Sequence, residues 1–521
     1  MISVENRVIY TRMLHICHNT HRIMKLHLIF FSFLVTMIIS SCAPKLGPLG
    51  NENVPKYFQL GVASGDPSNT SVILWTAIED QTPFQDAIKW SISLSKDMKT
   101  VVQRGESKTT GADSQTTKVK VSGLDSGKQY YYQFTYRGEN SPVGATKTLA
   151  TDIQELKIGI VSCSNFEAGY FNAYEALATK DVDVVVHLGD YIYEYGPGTY
   201  GDTTINRKHL PSHEILTKED YRQRYAQYRK DPALQLVHQN HPFITIWDDH
   251  EIANDAYKNG AQNHQDDEGE YATRVDIAKE VYHEWLPTDL VKGNNLYRTF
   301  SFGHFADMIM LDGRLAGRSK QLESTSKNVD GHSMLGSEQL QWLKENLESS
   351  QASWKIIGNQ VIFSPTDLSR LREEAINADA WDGYAGERNH IVNFIDEKQI
   401  SNVLILTGDT HMSWAFEVPK PLTNITYKSV AIEIGTPSIT SANLNESLPS
   451  EDVIFTEKIM KASNQHIKYV DGRNHGYAIL TLQKDTGFVD WYHISNLKSR
   501  EYTERKAKRF HFDLDGNNKL Y

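Results

Sequence analysis

The sequence has very little cysteine. Its 521 residues contain three cysteines, and two of them, Cys17 and Cys42, lie in the first 42 residues, which we predict to be a leader. Cys163 is then the single thiol of the folded part, so a framework of disulfides is excluded there. A lone thiol is most often a buried, inert side chain. Whether Cys163 also has a functional role therefore has to be judged from its position in the sequence.

An excess of positive charge is also missing. The chain has 54 Lys and Arg against 65 Asp and Glu, which gives a formal net charge of −11. Binding to nucleic acid regardless of sequence needs clustered Lys and Arg to displace counterions, so this class of function is excluded. Hydrophobic residues make up 40% and charged residues 23%, as in globular proteins, and the length predicts two or three domains.

No apolar run is long enough to cross a membrane. The longest one follows Lys25 and ends at Ile39, short of the ~20 residues that a spanning helix needs. Small residues and Cys42 come next, as in a secretory signal. The letters IISSC resemble a bacterial lipobox, which implies cleavage before Cys42 and lipidation of that cysteine; the alternative is a plain cleaved signal. We expect translation to begin at Met24 and the protein to be exported and lipid-anchored at the cell envelope.

A tether and a β domain are predicted after this leader. Residues 43–56 are rich in Pro, Gly and Asn, which is typical of a linker. Short strands with alternating apolar residues follow, and no helical period interrupts them before about Thr151. The pattern predicts an antiparallel β-sandwich (Ig/FnIII-like) over residues 57–150, with strands at Ser71–Ile78, Ala87–Ser95, Gln115–Leu124 and Gln129–Arg137.

An α/β domain is predicted over residues 151–500. From Leu156 the sequence alternates short, buried strands with helical segments, as βαβ units do. A late hairpin, GYAILTLQ and GFVDWYHI, closes this part, and we expect residues 501–521 to be a C-terminal tail. In open α/β sheets ligands bind at the carboxyl ends of the strands.

Four of the predicted strand ends carry residues that bind metals. Carboxylates gathered in one crevice need cations, because a buried, unpaired charge is very unfavourable. The sequence therefore predicts a polynuclear metal site. The strand-end residues are Cys163, Asp190, Tyr193, Asp248, Asp249, His250, Asp409 and His411.

The order of these motifs resembles a known family. SCSN, HLGDYIY, WDDHE and GDTH, supported by GVASGDP, MLDGR and AWDGY, are similar to the alkaline phosphatase D (PhoD-like) family of calcineurin-like metallophosphoesterases. The resemblance spans Phe58 to His493. It implies a four-layer catalytic domain, with two sheets flanked by helices and the metals between the sheets. It also implies hydrolysis of phosphate esters by a water molecule activated at those metals.

The resemblance further implies one ferric ion and calcium, with zinc or manganese as alternative metals. Thiolate, phenolate and imidazole suit iron, whereas carboxylate and amide oxygens suit calcium. The family pattern places iron at Cys163, Tyr193 and His411, a bridging carboxylate at Asp190, and calcium at Asp249, Asp409 and Asn254.

Three further residues near these motifs have alternative predicted roles. His250 is expected to donate a proton to the leaving oxygen or a hydrogen bond to the phosphoryl group. Arg314 is predicted to clamp a phosphate oxygen, and the alternative is a structural ion pair with Asp312. Asn165 is either a phosphate donor or a turn residue.

The function expected from the family is that of an exported phosphatase for phosphate acquisition. Its substrates would be phosphomonoesters and phosphodiesters, and we expect a monomer attached to the membrane only through Cys42. One alternative is a phosphodiesterase or phospholipase-like enzyme that acts on lipid or cell-wall diesters. The other is a non-catalytic surface protein that keeps the fold for binding.

Overall fold

The computed structural model describes residues 55–80, 86–109, 115–289, 296–322, 331–371, 376–423 and 426–521. The predicted leader, with Met24 and Cys42, lies outside the described residues, as does the tether up to residue 54. Among the helices that are described, none combines the length and the apolar composition that a membrane span requires.

The strands of the N-terminal part are short and follow one another closely. They are β1 Val62–Gly65, β2 Ser71–Ala77, β3 Ile88–Ser93, β4 Val101–Ser107, β5 Thr116–Ser122, β6 Gln129–Tyr136, β7 Glu139–Asn140 and β8 Gly144–Lys147.

The later strands alternate with helices, as the βαβ pattern predicts. The strands are β9 Glu155–Val161, β10 Val184–His187, β11 Pro242–Thr245, β12 Arg298–Phe302, β13 Ala306–Met310, β14 Trp354–Gly358, β15 Val403–Thr407, β16 Ser413–Pro421, β17 Tyr427–Gly435, β18 Ile467–Asp471, β19 His475–Gln483, β20 Thr486–Ile494 and β21 Glu504–Asp513. The helices are α1 Asn172–Leu177, α2 Lys218–Arg229, α3 Pro232–Asn240, α4 Tyr271–Trp285, α5 Gly336–Ser349, α6 Ala385–Glu397, α7 Leu444–Ser447 and α8 Ser450–Ser463.

Two large sheets form the catalytic part. The first has the strand order β21-β20-β19-β9-β10-β11-β1-β2-β5, and the second has the order β12-β13-β14-β15-β17-β16-β18. The central strands β9, β10 and β11 run parallel, as do β13, β14, β15 and β17. Strands such as VVVH and VLILT are buried along their whole length. Continuous β-branched runs of this kind are typical of parallel strands covered on both faces.

The second sheet separates two cores, because side chains alternate between its faces. Leu404 and Leu406 of β15 belong to the core that also contains Ile158 and Ile160 of β9 in the first sheet. Val403 and Ile405 belong to the other core, together with Leu343 of α5 and other helical residues. The two sheets therefore pack face to face and helices cover the outside, which confirms the predicted layered α/β fold.

The N-terminal strands form the predicted sandwich, but one of its layers continues the catalytic sheet. Strands β3, β4, β6, β7 and β8 form a separate antiparallel sheet. Strands β1, β2 and β5 instead extend the first large sheet through the parallel pairing of β1 with β11. Val72 and Leu74 of β2 pack against Tyr132 and Phe134 of β6. Strands from both sides of the predicted domain boundary at residue 150 are thus hydrogen-bonded to each other. The boundary itself stays a prediction.

The C-terminal segment 501–521 is not a tail, and our expectation was wrong there. Strand β21 pairs with β20 along its whole length. Phe512 is completely buried and its ring lies 5.6 Å from the ring of Trp354 in the second sheet. Lys519 donates to Glu417 of β16 at 2.8 Å. The basic residues near 505–509 concealed this strand in the sequence, because they occupy its exposed edge, where charge discourages pairing with other chains.

Phe512 offers a test of this structural role. Phe512→Ala is expected to lower the free energy of unfolding by about 3–5 kcal/mol, because it removes a buried aromatic side chain and leaves a cavity. Urea denaturation measures this change. The matched control is Phe455→Ala, since Phe455 is 61% exposed and its loss should change stability by only about 0.5 kcal/mol. Equal effects of the two substitutions would show that β21 adds nothing to the core.

Candidate metal centre

The predicted strand ends meet between the two large sheets. Cys163 follows β9, Asp190 follows β10 and Asp249 follows β11, which are neighbours in the first sheet. Asp409 follows β15 of the second sheet. Hydrogen bonds join the first two ends, from the Cys163 N–H to the Gly189 carbonyl at 3.1 Å and from the Ser164 N–H to the Asp190 carbonyl at 2.9 Å. Parallel strands thus bring together residues that are far apart in the sequence.

Strained backbone marks the same positions. Cys163, Asp190, Asp409 and His411 have φ values of 60°, 57°, 61° and 59°. Non-glycine residues rarely adopt this left-handed region, and such conformations persist where the surroundings enforce them, often at functional sites. Four residues of one predicted site share this strain, which points to a functional requirement on where their side chains lie.

Gly189 allows two strand ends to approach closely. Its φ is 105°, and a Cβ atom at this position would lie 2.4 Å from the Asp248 backbone nitrogen. No L side chain fits in that space. The glycine of the GD motif is therefore required by the contact between the ends of β10 and β11.

The first group of donors contains Cys163, Asp190 and His411. One ligand atom of each lies within 4.8 Å of the others. Tyr193 joins them, since its hydroxyl lies 3.0 Å from Asp190 Oδ2 and 3.4 Å from His411 Nε2. The structure thus brings together the thiol, phenol, imidazole and carboxylate that the sequence assigned to one metal.

A loop after β17 holds two members of this group. His411 Nδ1 donates to the Ala442 carbonyl at 2.7 Å, which leaves Nε2 facing Tyr193. Burial lowers the pKa of His411 to about 4, so the imidazole is neutral, as a metal ligand must be. Ser441 Oγ lies 2.6 Å from the Tyr193 hydroxyl and 2.9 Å from the Cys163 carbonyl. The sequence offered no indication of Ser441.

The second group contains Asp190, Asp249 and His250, whose ligand atoms also lie within 4.8 Å of one another. Asp190 therefore belongs to both groups. This sharing agrees with its predicted position as a bridging carboxylate.

Glu194 orients His250. Its carboxylate lies 2.7 Å from His250 Nδ1, so the other ring nitrogen is left for a ligand. Burial opposes the charge on His250, but the carboxylates of Glu194, Asp249 and Asp190 raise its pKa well above the usual value. Glu194 also accepts from the Asn254 N–H at 2.7 Å. The sequence analysis did not assign Glu194, although its position directly after Tyr193 in YEYG could have suggested that it lies near the site.

Both groups open into one cavity of about 290 Å³. Asn254 and Asp409 line it, as predicted for calcium ligands. Asn254 donates through Nδ2 to Gln262, and no described residue donates to its side-chain oxygen Oδ1. Two tyrosines and Asp255, which were not assigned, line it as well. The lining residues are Asp190, Tyr195, Tyr200, Asp249, His250, Asn254, Asp255, Asp409 and His411.

The side chains present fit multivalent cations. Burial raises the pKa of the Cys163 thiol and of the Asp190 and Asp409 carboxyls well above their usual values, and neighbouring carboxylates add to the effect. Asp190 Oδ1 is buried without a hydrogen-bond partner in the described part of the chain. A bound cation would offset the cost of burying these charges, because it favours the anionic form of each side chain. It would also give Asp190 Oδ1 a partner.

Arg314 lies in a cage of carboxylates. It is completely buried, and its Nε donates to Asp248 and its Nη1 to Asp379 at 2.9 Å. Nη2 lies 3.6 Å from Asp249 Oδ1 and 3.5 Å from Asp409 Oδ1. The alternative of an ion pair with Asp312 is wrong, because that carboxylate accepts the Arg314 backbone N–H at 3.0 Å instead. The role of a phosphate clamp stays a prediction, and Arg314 is absent from the cavity lining.

Asn165 acts as a support for the chain. It is completely buried, donates from Nδ2 to the Tyr200 carbonyl at 2.7 Å and accepts the Glu167 N–H at 3.0 Å. Both ends of the amide are therefore engaged with the protein. These contacts agree with the alternative of a turn residue, and the role of a phosphate donor stays a prediction.

Glu251 is a further residue that the sequence did not assign. Its buried carboxylate accepts the backbone N–H groups of Asp190, Tyr191 and Asp248 at 3.0, 2.5 and 2.8 Å. It thereby fixes the ends of β10 and β11 relative to each other. Glu251 is the last residue of the WDDHE motif, but the spacing of the motif does not show whether this carboxylate binds a metal or holds the backbone.

Comparison with known proteins agrees with this geometry. Residues 158–491 match the family described as PhoD-like phosphatase, and residues 41–150 match the N-terminal domain of PhoD-like phosphatase. The chain is 35% identical over 452 residues to alkaline phosphatase D of Bacillus subtilis (strain 168), covering 82% of this chain and 75% of that protein. A solved structure titled "Structure of PhoD" superposes with a TM-score of 0.79 at 30% identity, covering 90% of this chain and 92% of the other.

The carboxylate cage around Arg314 predicts a large effect of removing its charge. Arg314→Met should destabilise the metal-free protein by about 3–5 kcal/mol at neutral pH, because it leaves buried carboxylates without their cation. Urea denaturation after chelation measures this change. Arg500→Met is the control, since that side chain is 43% exposed and should contribute only about 0.5 kcal/mol. If Arg314→Met lowered the free energy of unfolding no more than Arg500→Met, Arg314 would not be needed to balance the buried carboxylates.

Proposed function

We propose, on the premise that this chain belongs to the PhoD-like phosphatase family, that it is an exported enzyme which uses one ferric ion and calcium to hydrolyse phosphomonoesters and phosphodiesters. Family membership makes it a phosphoric ester hydrolase, so the alternative of a non-catalytic binding protein is excluded. The metals, the diester activity and the cellular role are the parts proposed here.

A single observation carries the proposal of two metals. Asp190 is the common member of two groups of side chains, one with Cys163 and His411 and the other with Asp249 and His250. In the second group the carboxylates would hold the cation, while His250 keeps its proton. A carboxylate has two oxygens and can serve two cations at once. Two cations a few ångströms apart act together on one phosphoryl group, stabilising the attacking and the leaving oxygens.

The chemistry of the donors supports the choice of metals. The first group offers a thiol and an imidazole with the Tyr193 phenol beside them, which suit a transition metal. On the other side, the carboxylates of Asp249 and Asp409 and the side-chain oxygen Oδ1 of Asn254 offer hard oxygens, which suit calcium. Zinc or manganese in place of iron remains the alternative that metal analysis distinguishes.

The metals would polarise the phosphoryl oxygens and supply a nucleophilic water at neutral pH. His250 would hold a proton on the nitrogen that Glu194 leaves free and donate it to the leaving oxygen. Glu194 keeps the imidazole in the orientation that this transfer needs. Arg314, beneath Asp249 and Asp409, holds these carboxylates in place through its charge.

One observation favours phosphodiesters as a second candidate substrate. Among the described residues that line the cavity there is no lysine or arginine. A monoester dianion carries one more charge than a diester, and this lining has no lysine or arginine to match that charge. The proposal therefore includes diesters beside monoesters, with a phosphodiesterase or phospholipase-like enzyme as the alternative.

The leader supports a place outside the cytoplasm. Its apolar run and the IISSC letters, which end at Cys42, are typical of an exported lipoprotein. An anchored phosphatase would release phosphate from esters outside the cell, which is a route to phosphate acquisition.

Hydrolysis of matched esters tests the activity. Initial rates are measured on an aryl phosphomonoester and on the corresponding diester, with calcium and with excess EGTA. The rate on the monoester should fall at least tenfold with EGTA and return when calcium is added, because calcium ligands surround the cavity. A rate that EGTA leaves unchanged would contradict the calcium site, and a clear excess on the diester would make the enzyme chiefly a phosphodiesterase.

Removing the thiol tests the iron site. Cys163→Ala should lose bound iron and most activity while its far-UV circular dichroism stays unchanged, since a methyl group fits where the buried thiol was. Metal content is measured by elemental analysis. A wild-type protein with a tyrosinate on ferric iron should also absorb visible light, and the variant should be colourless.

Full iron content and turnover in Cys163→Ala would show that the thiol is not a ligand. A colourless, fully active wild-type protein would indicate zinc in place of iron.

A further inference from the structure

Two tyrosines stand beside the candidate ligands in the cavity. Tyr195 and Tyr200 both line it, and their ring centroids are 5.9 Å apart with an interplanar angle of 69°. The ring of Tyr195 lies 5.4 Å from that of His250, and the ring of Tyr200 lies 6.5 Å from that of His411 at an angle of 26°. We call Tyr195 and Tyr200 the aromatic wall.

The aromatic wall has hydroxyl groups that the protein does not use. In the described part of the chain no hydrogen bond reaches the Tyr195 hydroxyl. The Tyr200 hydroxyl lies 3.4 Å from His411 Nδ1, but that nitrogen already donates to the Ala442 carbonyl. The phenolic proton of Tyr200 therefore has no acceptor there. Both side chains are partly exposed, so their two hydroxyl donors and part of each ring are accessible to a ligand in the cavity.

Buried side chains hold the aromatic wall in place before any ligand binds. Arg224 donates to the Tyr195 carbonyl at 2.9 Å, and Asn165 donates to the Tyr200 carbonyl at 2.7 Å. Between them, the Gly198 N–H donates to Glu167 at 2.8 Å. Arg224, Asn165 and Glu167 are completely buried. A segment fixed in this way binds without a large loss of conformational entropy.

The aromatic wall differs in chemistry from the rest of the cavity lining. The described lining offers carboxylates, imidazoles and an amide for cations and phosphate, whereas phenol rings at this position suit the organic part of an ester. The same lining includes the carboxylates of Asp249, Asp255 and Asp409 and no lysine or arginine. A negatively charged leaving group would thus meet these carboxylates without a lysine or arginine to offset their charge.

We propose that the aromatic wall is the subsite for the alcohol part of the ester and that it selects neutral leaving groups with a flat, aromatic face. The ring of the leaving group packs on Tyr195 and Tyr200 while the phosphoryl group lies among the candidate ligands. This inference rests on the proposed function, because it assigns the leaving group of that reaction. Stacking of one flat group on an aromatic side chain corresponds to about tenfold in affinity.

Binding of two phosphonates tests the subsite without turnover. Benzylphosphonate imitates phenyl phosphate with a carbon in place of the ester oxygen, and methylphosphonate lacks the ring. Their affinities for the metal-loaded protein are measured by calorimetry in the wild type, in Tyr195→Leu and in Tyr195→Phe. Phenyl phosphate hydrolysis by the wild type is measured beside them.

The wild type should bind benzylphosphonate about tenfold more tightly than methylphosphonate. Tyr195→Leu should lose this preference with the affinity for methylphosphonate unchanged, and Tyr195→Phe, which keeps the ring, should retain it. A preference that survives Tyr195→Leu would overturn the subsite. So would an equal loss for both ligands, because Tyr195 would then only support His250.

The two proposals fail in different ways. Selective binding of benzylphosphonate without hydrolysis of phenyl phosphate would support the subsite and contradict the proposed catalysis. Hydrolysis of phenyl phosphate without any preference between the two phosphonates would support the proposed catalysis and contradict the subsite.

Discussion

The arrangement of this protein depends on the burial of anionic groups at the ends of parallel strands. Cys163, Asp190 and Asp409 come from three strands of two sheets, and burial strongly disfavours their charged forms. Only cations make such a cluster stable as anions. One cation is part of the chain, the guanidinium of Arg314, and the remaining donors form two candidate metal-binding groups.

The rest of the structure keeps these groups in position. Glu251 fixes two strand ends through three backbone N–H groups, and Glu194 fixes His250. Strand β21 packs its Phe512 against Trp354 of the opposite sheet and so helps to hold the two sheets together. Strain at the backbone of the ligands is maintained by this packing, since left-handed conformations of non-glycine residues need support from their surroundings.

The sequence was sufficient for the fold class and for most of the side chains that meet at the candidate site. Buried β-branched runs predicted the strands, and the motifs at their ends identified the side chains that the structure brings together. Other residues could not be predicted, because their roles exist only in three dimensions. Ser441 is remote in sequence from Tyr193 and meets it through the sheet topology, and Asn165 supports Tyr200 only because of how the chain turns after β9.

The C-terminal strand and the partners of Arg314 were missed for a related reason. The basic face of β21 made a strand look like a solvated tail, because its buried residues are few and lie between charges. Asp312 was the nearest carboxylate to Arg314 in the sequence, whereas Asp248 and Asp379 are nearest in space. Local spacing therefore identifies the candidate ligands at a strand end, but it does not identify the ion pairs around them.

The central claim is that Asp190 lies between two different cations. Anomalous X-ray diffraction at the iron absorption edge, from crystals of the metal-loaded protein, tests this claim most directly. We expect an iron peak beside Cys163, Tyr193 and His411, and a second cation without iron signal between Asp190 and Asp249. A single cation, or none in contact with Asp190, would contradict the account.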